Sequence, residues 1–213
     1  MSRPVRGERN AIRRRMREAR RAIDPDRRSS AARAVADRVA ALGLPRPGTR
    51  VATYIPLDGE MDPAPVVALA RARGCPVYAP VVTSFERRHM RFRAFRSGQQ
   101  ASHRNRWGIA EPVGGETLDG RWLGLVIVPC VAFDATGSRL GMGAGFYDRH
   151  FAFLMRRSSW HRPRLLGLAF DLQRVEELPQ YSWDVPLWGV VTESRVYGRA
   201  ARDLPPGIPR EAR

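Results

Sequence analysis

Three alternating glycines between a predicted strand and a predicted helix constrain the fold of this chain more than any other feature. They are Gly141, Gly143 and Gly145. The apolar residues between 123 and 128 are typical of a buried strand, and apolar side chains at positions 147, 151, 154 and 155 recur with helical spacing. Glycines let backbone N–H groups approach an anion closely, so this arrangement is typical of phosphate-binding loops. An ordinary tight strand-to-helix turn has the same pattern, and the loop alone does not distinguish the two.

The residues in and around the glycine loop restrict which class of phosphate-binding site it can form. Arg139 and Arg149 bracket the loop with guanidinium groups suited to phosphate oxygens, and Asp148 offers a hard oxygen ligand for Mg²⁺. The G-x-G-x-G spacing differs from the G-x-G-x-x-G fingerprint of dinucleotide-binding folds. The chain contains no lysine, which excludes the P-loop and Schiff-base chemistry.

The strong positive charge is the feature that would favour a nucleic-acid partner. The formal net charge is +16, and all 37 basic residues are arginine. These arginines are scattered along the chain and accompany abundant alanine, glycine and proline, which indicates a compositional bias that makes the surface generally cationic. We therefore expect no specific nucleic-acid partner.

The length of the chain favours a single domain, and its hydropathy predicts no membrane-spanning segment. A chain of 213 residues suits one domain with a sizeable core, here with residues 203–213 as a frayed tail. No apolar run approaches the roughly 18 residues of a membrane span. The arginine-rich N-terminal segment also lacks the apolar stretch of a secretory signal. The sequence therefore predicts a cytoplasmic protein with no membrane partner, and we expect a monomer.

The cysteines and histidines form no recognisable catalytic or metal-ligating set. Cys75 and Cys130 are far apart in sequence, which favours buried free thiols over a disulfide or a metal site. The four histidines lack metal-ligand spacing and lie in polar surroundings, so we expect them to be exposed. They are His89, His103, His150 and His161.

Arginines recur near every fourth position in the predicted first helix, residues 8–23. Arg9, Arg13, Arg17 and Arg20 therefore share one side of this helix. They form either a solvated helix face or a group that converges on a polyphosphate. The sequence alone leaves both interpretations open.

The loop after the first predicted strand, residues 51–55, contains a candidate binding residue, Glu60. In open α/β sheets ligands bind at the carboxyl ends of the strands, which is where this loop lies. The carboxylate of Glu60 could instead favour the N-terminus of the following helix, which Asp62 is predicted to cap and Gly74 to end. The two roles are equally compatible with the sequence.

The remaining elements predict a three-layer α/β/α domain with a largely parallel central sheet. A second helix, capped by Ser29 or Ser30, follows the first. Strands are predicted at residues 77–82, 90–95, 165–170, 190–192 and 195–197. Between them, Trp107 lies in a polar segment, where it is either a lid over the core or a stacking surface for a flat ligand.

Five motifs in order resemble the 5-formyltetrahydrofolate cyclo-ligase family, also called 5,10-methenyltetrahydrofolate synthetase. The most specific is residues 128–134 (VPCVAFD) followed by residues 137–149 (GSRLGMGAGFYDR). The others are the basic helix with Arg9 and Arg13, Tyr54 and Ile55 with Glu60, residues 108–112 (GIAEP), and residues 184–187 (DVPL) with 191–193 (VTE). The resemblance covers residues 9–197, nearly the whole chain.

The resemblance implies an enzyme that uses ATP and Mg²⁺ to cyclise 5-formyltetrahydrofolate, with or without a polyglutamate tail, to 5,10-methenyltetrahydrofolate, releasing ADP and phosphate. It implies catalytic roles for Arg139 and Tyr147, and Mg²⁺ binding by Asp148 and Asp184. The ATP-binding residues that it implies are Arg9, Arg13, Arg139, Gly141, Met142, Gly143, Ala144, Gly145, Phe146 and Tyr147. The folate-binding residues that it implies are Ile55, Glu60, Trp107, Phe146 and Tyr147.

The chain departs from the family pattern at several of these positions. Arg9 stands where lysine is usual, and Ala144 stands where some members have lysine. Departures also occur at Cys130, Phe146, Trp183 and Trp188. Two alternatives therefore remain: a divergent relative that binds nucleotide or folate in a regulatory or thiamine-linked role, and a basic RNA-associated protein without catalytic chemistry.

Overall fold

The described part of the chain forms four α-helices and twelve strands, and eight of the strands lie between the third and the fourth helix. The computed structural model describes residues 3–96, 103–157 and 162–204. The helices are α1 (Arg3–Arg21), α2 (Pro25–Ala41), α3 (Ala64–Ala72) and α4 (Phe146–Phe151). The strands are β1 (Val51–Ala52), β2 (Val77–Ser84), β3 (His89–Ala94), β4 (His103–Arg104), β5 (Ala110–Glu111), β6 (Thr117–Leu118), β7 (Leu125–Pro129), β8 (Ala132–Phe133), β9 (Arg139–Leu140), β10 (Arg164–Leu168), β11 (Gly189–Val191) and β12 (Val196–Gly198). Short 3₁₀ helices are Gly120–Trp122, Ala152–Arg156, Asp171–Gln173 and Arg199–Asp203.

The central sheet has eight strands in the order β12-β11-β10-β7-β1-β2-β3-β6. Strands β11, β10, β7, β1 and β2 run parallel, and Val51 of β1 pairs with Val77 on one side and Leu125 on the other. Antiparallel strands close both edges, β12 on one side and β3 with β6 on the other. The prediction of a largely parallel sheet is confirmed.

Alternating side chains of β7 enter two separate cores, one on each face of the sheet. Leu125 and Ile127 pack in the cluster that contains the apolar residues of α2 and α3. Val126 and Val128 pack in the cluster that contains residues of α4. Because successive side chains of a strand point to opposite faces, a strand that is apolar throughout must be covered on both. This arrangement confirms the three-layer architecture.

Helix α1 lies across the edge of the sheet where the parallel strands end. Its residue Met16 packs with Val131, which follows β7, and with Leu140 of β9. The fully buried Arg20 donates to the carbonyl oxygens of Cys130, at 3.3 Å, and Asp58, at 3.1 Å. These carbonyls belong to the segments that follow β7 and β1. The arginines of α1 are therefore held beside the ligand-binding edge of the sheet.

The N-termini of α2 and α3 differ from the sequence predictions, because the residues that accept their first backbone N–H groups are not all the predicted ones. The prediction that Ser29 or Ser30 caps α2 is wrong, since both lie inside the helix and Asp24 accepts the N–H of Arg27 at 2.9 Å. The predicted cap of α3 is confirmed in part. Asp62 accepts a backbone N–H at 2.8 Å, but the helix begins two residues later, at Ala64.

Three further predictions concern single residues and the tail. His150 is half-buried, against the prediction, because its Nε2 accepts the N–H of Gly120 at 3.1 Å, and burial lowers its pKa. His89 and His103 are exposed as predicted, and His161 lies outside the described residues. Both cysteines are buried free thiols. Asp203 ends a 3₁₀ helix, and residues 205–213 of the predicted tail lie outside the described residues.

The first strand and the helix after the glycine loop are shorter than predicted. Strand β1 contains only Val51–Ala52, and α4 changes to a 3₁₀ helix after Phe151. In the described part of the chain, no helix is both long enough and apolar enough to cross a membrane.

Candidate active site

The glycine loop has a backbone conformation that requires glycine. It connects β9 to α4, and the φ angles are +106° at Gly143 and +71° at Gly145. Residues with a side chain rarely adopt such angles. A Cβ atom at Gly143 would lie 3.5 Å from Cζ of Arg13. The loop is therefore an irregular turn whose surface is in contact with an arginine of α1.

Two arginines of α1 reach the glycine loop and the segment facing it. Nε of Arg13 donates to the carbonyl oxygen of Gly141 at 2.9 Å. Arg9 is buried, and its Nη1 donates to Oδ2 of Asp184 at 2.5 Å and to the carbonyl oxygen of Pro179 at 3.0 Å. These two residues, predicted to bind ATP, are thus brought together with one of the predicted metal ligands.

The other two arginines of the predicted group lie at a different loop. Arg17 pairs with the carboxylate of Asp58 at 2.7 Å, and Arg20 donates to the carbonyl oxygen of the same residue. Residues eight positions apart are separated by about 12 Å along a helix. The four arginines share a side of α1, but they do not converge on one polyphosphate.

Arg139 and Asp148 form an ion pair beneath the glycine loop. Nη2 of Arg139 lies 2.6 Å from Oδ1 of Asp148, and its guanidinium carbon lies 5.6 Å from the centre of the Tyr147 ring. The same Oδ1 accepts the N–H of Val185 at 3.3 Å. Because Val185 follows Asp184 in the chain, this bond places the two predicted metal ligands on adjoining segments.

Five buried guanidinium Nε atoms in the described part of the chain have no hydrogen-bond partner, those of Arg9, Arg20, Arg38, Arg93 and Arg139. Arg9 and Arg139 are the two that lie at the glycine loop and the segment facing it. Buried polar atoms in folded proteins nearly always have a partner, and an unpaired cationic donor is costly. An anionic oxygen at the glycine loop would satisfy such donors, so the arrangement fits a polyphosphate.

Asp148 and Asp184 are suited to bind a metal ion that is also coordinated by the phosphates of a nucleotide. Among residues 3–96, 103–157 and 162–204, no group of three or more acidic, histidine or cysteine side chains is placed to hold a metal. Mg²⁺ is commonly bound through one or two carboxylates together with substrate phosphates. The described contacts of Asp148 fall on Oδ1, so its Oδ2 is open to a metal.

Glu60 is a partly buried carboxylate in the loop between β1 and α3, near Arg20 of α1. Its Oε2 accepts the N–H of Leu57 at 3.1 Å. Burial raises the pKa of Glu60 to about 7, opposed by that hydrogen bond and by the charge of Arg20. The alternative role at the N-terminus of α3 is not supported, because Asp62 accepts the first N–H of that helix. Glu60 is thus a partly buried acid with no ion-pair partner among the described residues.

The charges of Arg139 and Glu60 both act on Tyr147. Burial raises the pKa of Tyr147, the positive charge of Arg139 opposes this, and the negative charge of Glu60 adds to it. Burial likewise raises the pKa of the Cys130 thiol to about 12, with the same two charges contributing. Tyr147 and Cys130 are therefore both within the electrostatic influence of Glu60 and Arg139.

Three aromatic rings form an edge-to-face group, here called the aromatic wall, made of Phe85, Trp107 and Phe146. The ring centroids are 5.0 Å apart for Phe85 and Trp107, 5.2 Å for Trp107 and Phe146, and 6.2 Å for Phe85 and Phe146. Trp107 remains 44% exposed, so it is not a lid over the core. A flat ligand would find an apolar surface here.

A buried polar network fixes Trp107 in place. Oδ1 of Asn105 accepts the N–H of Trp107 at 3.0 Å, and Nδ2 of Asn105 donates to Oε1 of Glu111 at 2.8 Å. The same carboxylate accepts the N–H of Val82 in β2 at 3.0 Å. The network ties an irregular loop to the central sheet, which holds the aromatic wall rigidly.

The other predicted site residues lie around the same edge. Ile55 is half-buried in the segment that leads to Glu60, Met142 is exposed on the glycine loop, and Ala144 packs against the core of the second face. Two further residues at the site, Phe85 and Arg88, were not predicted from the sequence and lie in the hairpin between β2 and β3. Nη1 of Arg88 lies 3.4 Å from the position of a Cβ at Gly145. An aromatic and a basic residue in a turn gave no signal of this contact.

The chain matches the 5-formyltetrahydrofolate cyclo-ligase family over residues 5–193. It belongs to this family. The 5-formyltetrahydrofolate cyclo-ligase of Escherichia coli K12 is 35% identical over 188 residues, which are 85% of this chain and 98% of the relative. That of Haemophilus influenzae is 33% identical over 150 residues, 68% of this chain and 76% of the relative.

A solved structure of a relative has the same fold. The NMR structure of Aquifex aeolicus 5,10-methenyltetrahydrofolate synthetase superposes with a TM-score of 0.71 at 27% identity, covering 89% of this chain and 92% of that one. The predicted family, fold and enzyme class are confirmed. The cyclo-ligase family match includes the whole glycine loop and both sides of the site.

Proposed function

We propose that this chain catalyses the ATP-dependent cyclisation of 5-formyltetrahydrofolate to 5,10-methenyltetrahydrofolate. The observation that carries the proposal is the junction at Tyr147. Arg139, which lies against the Tyr147 ring, and the glycine loop fit a polyphosphate. Glu60, whose charge acts on Tyr147, and the aromatic wall, which contains the preceding residue Phe146, fit a flat, hydrogen-bonding ring. A reaction between ATP and a pterin needs both surfaces at one point.

The formyl group has to be activated before the ring can close. An N-formyl carbon is a poor electrophile, and its oxygen is a poor leaving group. The formyl oxygen attacks the γ-phosphorus, ADP leaves, and N10 then attacks the activated carbon. Loss of phosphate and of the N10 proton gives the methenyl product. Phosphoryl transfer is catalysed mainly by positioning and charge stabilisation, which this site supplies through arginines.

The phosphate side is formed by α1 and the glycine loop. We assign Arg9 and Arg13 to the polyphosphate and Arg139 to the phosphoryl group in transfer, because Arg139 is the arginine in contact with Tyr147. Asp148 and Asp184 would hold Mg²⁺, which supplies charge neutralisation between phosphate oxygens when bound. Their present partners, Arg139 for Asp148 and Arg9 for Asp184, hold both carboxylates in position.

The folate side is formed by Glu60, Ile55 and the aromatic wall. The carboxylate of Glu60 would accept hydrogen bonds from pterin N–H groups, and the pterin ring would lie against Trp107 and Phe146. Because burial raises the pKa of Tyr147, its phenol stays protonated and acts as a hydrogen-bond donor to the formyl or phosphoryl oxygen.

Family membership argues against the RNA-associated alternative, and the central arginines are already bonded to protein groups. The divergent-relative alternative differs from the proposal only in turnover. A monomeric state, a cytoplasmic location and acceptance of polyglutamate tails remain predictions from the sequence.

The test of this proposal is product formation by the purified full chain. With Mg²⁺, ATP and 5-formyltetrahydrofolate, we expect the absorbance of 5,10-methenyltetrahydrofolate to appear, and omission of ATP should abolish it. A folded chain that binds both ligands and yields no product at high enzyme concentration would contradict the proposal and favour the divergent relative.

A further inference from the structure

A tight turn attaches an exposed tryptophan to the predicted metal ligand Asp184. The N–H of Asp184 donates to the carbonyl oxygen of Tyr181 at 3.0 Å, and the N–H of Tyr181 donates back to Oδ2 of Asp184 at 2.8 Å. Trp183 lies inside this doubly closed turn. Its position relative to the Asp184 carboxylate is therefore fixed by the backbone.

The turn holds two aromatic rings in parallel, in contrast to the edge-on rings of the aromatic wall. The Tyr181 and Trp183 rings have centroids 4.7 Å apart and an interplanar angle of 19°. The guanidinium of Arg9 lies 4.5 Å from the centre of the Tyr181 ring. Although the indole stacks on Tyr181, Trp183 remains 52% exposed. A large flat surface is thus open to solvent beside the arginine and carboxylate of the phosphate site.

We propose that Trp183, supported by Tyr181, is the stacking platform for the adenine base of ATP. The inference rests on the proposed function, because it takes the polyphosphate to be bound at Arg9, Arg13 and the glycine loop. With the phosphates bound there, the adenine base must lie on a surface next to the phosphate site. Trp183 provides such a surface, because it directly precedes Asp184 in the chain. The pterin already has a proposed surface at the aromatic wall, which contains Trp107 and Phe146.

Stacking on an aromatic side chain needs no hydrogen bond to a particular base. Replacing such an aromatic residue with alanine typically weakens binding of the stacked base by roughly 5- to 150-fold. The platform should therefore strengthen binding of any nucleoside triphosphate while leaving polyphosphate alone unaffected. Other nucleoside triphosphates should replace ATP with a modest loss of affinity.

The experiment separates the base from the phosphates. Calorimetry in Mg²⁺ buffer would measure binding of a non-hydrolysable ATP analogue and of inorganic tripolyphosphate to wild type, Trp183→Ala and Trp183→Phe. Trp122→Ala is the matched control, since Trp122 is 68% exposed and precedes β7 at the opposite edge of the sheet. The KM for 5-formyltetrahydrofolate would be measured for each variant.

We expect Trp183→Ala to weaken the analogue about 10-fold, with tripolyphosphate and folate unchanged, Trp183→Phe near wild type and Trp122→Ala without effect. Unchanged analogue affinity, or equal losses for analogue and tripolyphosphate, would overturn the platform. A selective loss for folate would assign Trp183 to the pterin and also overturn it. Failure of the wild type to bind either phosphate ligand would contradict the proposed function itself.

Discussion

Replacing Arg139 with alanine is expected to lower kcat of the cyclisation about 10²- to 10³-fold, the loss typical of one preorganised transition-state donor. Arg139 is buried, bonded to Asp148 at 2.6 Å, and in contact with Tyr147. On the proposed assignment, its charge is held where negative charge develops during phosphoryl transfer, with no reorganisation needed. Affinity for the ATP analogue should change much less than kcat.

Two further variants separate catalysis from folding. Arg139→Lys keeps a charge but loses the planar fork, so it should recover only part of the rate. Arg164→Ala is the matched control, because Arg164 is an arginine at the start of β10 paired with Asp203 at 3.6 Å and lying over Trp188. We expect this control to keep the wild-type kcat. An Arg139→Ala variant with a lower melting temperature but full kcat would show that Arg139 is only structural.

Replacing Glu60 with glutamine is expected to raise the KM for 5-formyltetrahydrofolate by roughly 10- to 100-fold, since a hydrogen bond to a charged group is worth about 1.5–3 kcal/mol. The amide keeps the shape and can still accept the N–H of Leu57. Only the negative charge, which the proposal assigns to the pterin, is lost. Binding of the ATP analogue should remain close to wild type, and equal losses for both ligands would contradict the assignment.

The pH dependence gives a second readout of Glu60. Its pKa is about 7 in the folded chain and 4.5 ordinarily, so the folded state retains a proton that the unfolded state has released. Wild-type stability should therefore fall as pH rises from 4.5 to 7. At pH 8, Glu60→Gln should be more stable than wild type by on the order of 2 kcal/mol, with no such gain near pH 4.5. Wild-type folate affinity should weaken below pH 7, and that of the variant should not.

Glu193→Gln is the matched control for both effects. Glu193 is also a partly buried acid whose pKa burial raises, and it accepts the N–H of Asp171 at 3.0 Å. It lies beyond β11, on a different part of the sheet edge. This variant should share a pH-dependent gain in stability but leave the KM for folate unchanged. A raised KM for folate in Glu193→Gln would show that the effect of Glu60 is not local.

The sheet and the ends of its strands could be predicted because their signals are local. The apolar run of β7 required cover on both faces, and a parallel sheet placed Glu60 and Cys130 at the same edge. Positive φ angles at Gly143 and Gly145 likewise agree with their being glycine. In each case the residue type itself restricts the conformation.

The grouping of side chains across the site could not be predicted, since it depends on how distant elements pack. Spacing near four places the arginines of α1 on one side, but only the packing of Met16 on Leu140 decides which loop each arginine meets. The contact of Phe85 with Trp107 joins a hairpin to an irregular loop, and no periodicity connects them. The contact between Arg9 and the turn of Tyr181 and Asp184 could not be predicted either, because Arg9 and Asp184 are 175 positions apart in the sequence.

The most direct test of the account follows the formyl oxygen. The central claim is that one site joins ATP to the formyl group, so that this oxygen accepts the phosphoryl group. With 5-formyltetrahydrofolate labelled with ¹⁸O in the formyl group, the phosphate released by the full chain should carry one ¹⁸O atom for each methenyltetrahydrofolate formed. Phosphate that contains only solvent and ATP oxygens, with the label lost to formate or water, would contradict the claim.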